Sequence, residues 1–239
     1  MNYHAMRYLF VASVTLLLTI VAYSQATVPF TFTDPFTNYT AGSDGAPNWK
    51  INAGSAWKVN NGVLQANTTA KQFLEPAKSP VGKTIRLQAT MTVRAAVGKG
   101  WNTTGIAIRQ DDTNFWHLAF VESPAENNNT HYVELCEMYN KTWLAQGQTG
   151  TKLTRKESSG DLKWEYNHPY KMIIELSSDG IRGQVTEMDG KVRVSIAYKF
   201  DAPAITQGRP ALTVAGFNTD FDDVSVSVSD VVPAVDNKK

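Results

Sequence analysis

The chain has 239 residues, with 23 Lys and Arg against 22 Asp and Glu, for a formal net charge of +1. That balance, with no block of like charge, gives no electrostatic footprint for nucleic acid or an anionic membrane surface. Cys136 is the one cysteine, which excludes an intramolecular disulfide and leaves burial to hold the fold.

At the N-terminus MNYHAMR carries one Arg and no acid, and the mostly apolar run YLFVASVTLLLTIVAY follows. Its 16 residues fall short of the roughly 20 that a membrane span needs. Small residues at Ser24 and Ala26 flank Gln25, so the sequence predicts a signal peptide over 1–26 with cleavage after Ala26. The expected location is secreted or periplasmic, with no membrane attachment after cleavage. No cysteine stands at the boundary to carry a lipid.

Beyond it the apolar period is two, not 3.6. In 83–96, Ile85, Leu87, Ala89, Met91, Val93 and Ala95 alternate with Arg86, Gln88, Thr90, Thr92 and Arg94, the pattern of a long strand with one buried face. The same pattern predicts strands over 104–110, 115–122, 131–139, 170–177, 181–188, 192–200, 211–217 and 224–228. Asp179-Gly180 and Asp189-Gly190 join three of them, and an Asp-Gly turn supplies the positive φ of a tight hairpin, so these strands form an antiparallel meander. Loops fall at 42–47, 76–82 and 147–150, none long enough to be a domain linker. The sequence predicts one domain over 27–231 and a loose tail over 232–239. A dozen or so strands without helices must bury one face each. Length and hairpins favour an all-β, two-sheet antiparallel β-sandwich.

FTFTDPF near the start, GAPNWKINAGSAWKVNNGVLQA, TGIAIRQDDTNFWHLAF, the two Asp-Gly hairpins and GFNTDFDDVSVSV together resemble the concanavalin A-like lectin/glucanase jelly roll. The nearest variants are laminin-G-like domains and exported domains related to 3-keto-disaccharide hydrolases. The resemblance spans nearly the whole chain after residue 26. It implies a curved sandwich with a glycan on its concave sheet, and first and last strands, carrying Phe36 and Phe221, that pair with each other. No cofactor is required. Some members hold a structural calcium near these termini, for which Asp34, Asp222 and Asp223 are the candidate ligands. The glucanase branch carries E-x-D-x-E on one strand, whereas this chain reads Glu134-Leu135-Cys136-Glu137, a departure that argues against a standard endo-glucanase.

Sugar recognition uses flat aromatic faces together with planar polar groups for hydroxyls. Residues 101–143 are rich in both. Alternation puts Trp116, Leu118, Phe120 and Glu122 on the core side and His117 outward. Within HYVELCEMY, residues 131–139, it puts Val133 and Leu135 inward, so Tyr132 and Glu134 open outward. The candidate ligand contacts are Trp101, Arg109, Tyr132, Glu137, Tyr139 and Trp143, with His117 and Glu134 beside them. Glycoside cleavage needs two carboxyls flanking one bond. Glu134 and Glu137 sit about 10 Å apart along a flat strand and point to opposite faces, so they are not that pair. The candidate acid/base set is therefore Glu134 with Glu122, His117 or His131 from neighbouring positions. Three functions stay open at this point: a saccharide-binding protein, a glycoside hydrolase or polysaccharide lyase using Glu134, and an adhesion module without a sugar site. The sequence gives no oligomeric state.

Overall fold

The computed structural model describes residues 28–51, 56–144 and 151–233. The expected signal peptide, the 147–150 loop and residues 234–239 of the tail lie outside the described residues.

In chain order the strands are β1 (Phe30–Asp34), β2 (Trp49–Ile51), β3 (Trp57–Asn60), β4 (Val63–Thr68), β5 (Gln72–Pro76), β6 (Gly82–Ala96), β7 (Asn102–Asp111), β8 (Asn114–Glu122), β9 (His131–Tyr139), β10 (Thr142–Leu144), β11 (Thr154–Gly160), β12 (Pro169–Leu176), β13 (Gly180–Thr186), β14 (Val192–Lys199), β15 (Arg209–Ala215) and β16 (Phe217–Val231). They form two antiparallel sheets. One runs β11-β14-β13-β12-β6-β16-β4-β3, with β1 also on β16; the other runs β10-β9-β8-β7-β15-β5-β2. The fold is the predicted two-sheet sandwich.

Long strand β16 organises the first sheet. Strand β6 lies along one edge, while the other edge takes β4 at Phe217–Phe221 and then β1 at Val224–Val228. The hand-over occurs at a break in register between Asp222 and Ser225, where Asp223 has φ of 47°. First and last strands pair as the resemblance implied, but Phe36 is not on β1: it lies two residues past its end, at φ 55°, with its ring buried on Trp49.

The core lies between the sheets. Ile85, Leu87, Ala89, Met91 and Val93 of β6 share one cluster with Ile106 and Ile108 of β7, Trp116, Leu118 and Phe120 of β8, and Val133 and Leu135 of β9. Gly183 of β13 marks a point of close approach, because a Cβ there would stand 2.7 Å from Leu118 Cδ1 on the opposite sheet. The β12-β13-β14 meander is present. Its two glycines do different jobs: Gly190 takes the positive φ of 88°, whereas Gly180 has no positive φ and is required because a Cβ would lie 2.2 Å from the Tyr198 carbonyl oxygen.

Candidate functional site

The outward face of the seven-stranded sheet carries Tyr132 and Glu134, the pair that alternation turns away from the core. Register across the strands gives its composition. One row crosses Ala215, Thr103, Val121 and Tyr132; the next crosses Phe73, Thr213, Gly105, Ala119 and Glu134; a third crosses Ala211, Ala107, His117 and Cys136. Small side chains therefore pave the centre. Large ones stand around them: Phe73, Phe115, Tyr132, Trp143 and, from the loop before β7, Trp101.

These residues enclose a cleft of about 430 Å³ lined by Lys71, Trp101, Thr103, Val121, Tyr132, Glu134, Trp143 and Ala215. That volume lies within the range of small-ligand pockets. Trp101 is 57% and Trp143 39% exposed, among the few large apolar side chains here that meet solvent. Each is held by an edge contact. Trp101 meets Tyr132 at 6.4 Å between centroids, and Trp143 meets Phe115 at 5.6 Å with planes 88° apart. Both indoles thus present aromatic surface to a ligand in the cleft.

Burial sets the electrostatics of this face. Desolvation raises the Glu134 carboxyl above its ordinary range, against a weak hydrogen bond from Cys136 Sγ at 3.5 Å. Desolvation also lifts the Tyr132 hydroxyl to about 12, with Glu134 adding to the shift, and pushes the Cys136 thiol up. His117 is driven down to about 3 by burial and then by the charge of Lys71, so its imidazole is neutral near pH 7. It points outward as alternation predicts, yet it is 3% exposed, with the Phe115 ring 6.3 Å away. Its Nε2 has no hydrogen-bond partner among the described residues.

The remaining candidates lie elsewhere. Glu122 and His131 meet, but on the inward face near one end of the sandwich. His131 Nε2 stands 2.8 Å from Glu122 Oε2, which also accepts the Tyr166 hydroxyl, while Asn102 Nδ2 donates to Glu122 Oε1 at 3.2 Å. His131 Nδ1 donates to the Trp164 carbonyl at 3.0 Å. A separate hollow of about 540 Å³ opens beside this group. Glu122 and Glu134 face opposite sides of the sheet, so the expected carboxyl pair does not form. Nor does His131 join Glu134. Of the acid/base candidates, His117 alone shares its face.

Glu137 and Tyr139 also turn inward, which takes them away from the cleft. Glu137 is 1% exposed and accepts the Ile205 backbone N–H at 2.6 Å, while burial raises its carboxyl to about 7. It anchors the connection between β14 and β15, as does Trp116, whose indole donates to the Ile205 carbonyl at 2.9 Å. Arg109 is on the outward face but engaged with Glu75 at 2.6 Å and Asp112 at 2.8 Å.

Of the aspartates expected as calcium ligands near the chain ends, Asp34 is engaged by protein donors. Asp34 Oδ1 accepts the Phe36 N–H at 2.8 Å, and Oδ2 accepts the Trp49 indole at 2.8 Å and the Tyr39 hydroxyl. A carboxylate so occupied has little left for a cation that needs six to eight oxygens. Among the described residues no three His, Cys, Asp or Glu side chains converge as metal ligands.

Sequence reasoning missed Lys71 and the paved floor. The signal for the floor was in the chain: Gly105 and Ala107 alternate with Ile106 and Ile108, and Ala211 and Ala215 flank Leu212 and Val214. A strand whose outward residues are small, not charged, lines a trough.

No protein-family model matches the sequence, and no curated protein matches it. Solved structures match it in fold. A carbohydrate-binding module, CBM66, from Bacillus subtilis aligns with a TM-score of 0.52 and 14% identity over 75% of this chain and 94% of its own. The CBM2 module of the evolved Dit of Lactobacillus casei BL23 phage J-1 aligns at 0.56 with 9% identity, over 87% of this chain and 100% of its own. The GH43 protein BlXynB of Bacillus licheniformis aligns at 0.56 with 10% identity over 82% of this chain but only 39% of its own. The architecture is thus a two-sheet antiparallel β-sandwich that these solved structures share.

Proposed function

We propose that this is an exported protein that binds an oligosaccharide or polysaccharide in the cleft on the outward face of the seven-stranded sheet. The observation that carries the reading is the pair of exposed indoles, Trp101 and Trp143, flanking Tyr132 and Glu134 over a floor of small residues. Indole faces suit the CH-rich side of a pyranose, and a carboxyl with a phenol suits its hydroxyls. The names of two fold neighbours, both carbohydrate-related modules, support the same reading. Export rests on the N-terminal sequence pattern, and a secreted or periplasmic location follows from it.

Binding is favoured over cleavage because Glu134 has no second carboxyl in the cleft among the described lining residues. A screen of the purified protein against a glycan panel, read by calorimetry and by release of reducing ends or unsaturated uronate, tests this. Saturable binding without product is expected. Product formation that disappears in Glu134→Gln would replace this reading with the enzymatic one; absence of binding to any glycan would favour an adhesion module.

A further inference from the structure

Lys71 immediately precedes β5 and lines the cleft. Its ammonium reaches back over the cleft floor, 5.7 Å from the centroid of Phe73 and 4.7 Å from that of Phe115. Those rings belong to β5 and β8, with β15 and β7 between them, so the cation hangs over the paved centre of the sheet. No carboxylate lies within ion-pair reach of it among the described residues. The two internal segments outside them, 52–55 and 145–150, contain no acidic residue. Burial lowers the pKa of Lys71, and of the charges that act on it from a distance Asp112 favours the cation and Arg109 opposes it. Neighbouring His117 keeps a buried Nε2 without a partner among the described residues.

A ligand lying across this floor removes the remaining water from the ammonium. A neutral sugar compensates that loss only through hydroxyl groups and leaves a cation covered without a counter-charge, which is unfavourable. An anionic group supplies the counter-charge and a charge-assisted hydrogen bond together. Aromatic rings beneath Lys71 stabilise it by cation–π attraction but do not neutralise it.

We infer that the cleft is selective for an anionic saccharide, one bearing carboxylate or sulfate, whose acid group pairs with Lys71 while its rings rest against Trp101 and Trp143. This rests on the saccharide-binding reading above and names the ligand class of the same site. Burial raises the Glu134 carboxyl and so favours its protonated form, which can donate to a sugar hydroxyl and repels an anion less.

The test is calorimetric titration of the purified protein with oligogalacturonate and oligoglucuronate, with a sulfated heparin-derived tetrasaccharide, and with uncharged cello- and xylo-oligosaccharides of equal length. Two variants accompany it: Lys71→Met, which keeps an apolar stem over Phe73 and Phe115, and Lys71→Arg, which keeps the charge. At least tenfold tighter binding of one charged series over the neutral ones is expected. That preference should disappear in Lys71→Met, persist in Lys71→Arg and weaken in high salt. The uronate and sulfate arms show which acid the site takes. Equal affinity for neutral ligands, or a preference untouched by Lys71→Met in a variant of normal melting temperature, would overturn the inference and leave saccharide binding intact. Failure of every saccharide to bind would remove both.

Discussion

His131 lies flat on Trp164, with ring centroids 3.8 Å apart and planes 1° from parallel. Both its nitrogens face acceptors, the Trp164 carbonyl and Glu122, so a proton must sit between Nε2 and the carboxyl oxygen. Tyr166 and Asn102 complete the coordination of Glu122. With each oxygen engaged, this group ties the segment before β12 to the end of the seven-stranded sheet.

Glu122→Ala should therefore lower stability by about 2–4 kcal/mol, the range for removing one member of a buried hydrogen-bonded charge group. Urea denaturation measures that loss. Glycan affinity, measured on the folded variant, should stay within about twofold of the parent, because Glu122 faces away from the cleft.

Glu137 predicts a pH dependence. Its folded carboxyl titrates at about 7 against an ordinary 4.5, so between those values the folded state holds a proton that the unfolded state has lost. Stability from this group is full below 4.5 and falls as pH rises through 7, by on the order of 3 kcal/mol. In Glu137→Gln that loss is absent, and the Ile205 N–H keeps an acceptor. The stability of the variant relative to the parent, from urea titrations at pH 4.5, 6 and 7.5, should rise steadily across the series. A constant difference would count against the buried, raised carboxyl. His117 acts in the opposite sense, since its pKa falls from 6.5 to about 3 and its contribution is lost as pH drops below 6.5. The parent should consequently show a flatter profile than either group alone would give.

Gly183 faces Leu118 across the core. Gly183→Ala forces that leucine or the sheet spacing to shift and should cost about 1–3 kcal/mol by overpacking. Gly190→Ala, at a turn with nothing within 4 Å of the added Cβ, carries only the strain of its positive φ. Comparing their denaturation midpoints separates crowding from backbone strain.

Much of the frame was legible because strand alternation is local. The bounds of β9 and the inward face of β6 follow from residue period alone, and so does the outward direction of Tyr132 and Glu134. What was not legible depended on distant partners. Glu137 is tied by Ile205, 68 positions away in sequence, and Asp34 by Trp49 across a loop. His117 was read as outward and is outward, but it is buried, which alternation along β8 does not foretell. Lys71 precedes β5 by one residue, where no periodic pattern points to it; only the sheet order, which brings β5 next to β15, puts it over the cleft.

Trp101 and Trp143 are the indoles assigned to the saccharide, and Trp49, Trp57, Trp116 and Trp164 are buried framework. All six indole N–H signals can be followed by nuclear magnetic resonance during titration with an oligosaccharide that binds. The account predicts progressive shifts of the Trp101 and Trp143 signals, with the four buried indoles nearly still, and roughly tenfold weaker binding in Trp143→Ala. Shifts confined to Trp164, beside the end hollow, or saturable binding that moves neither Trp101 nor Trp143, would contradict it.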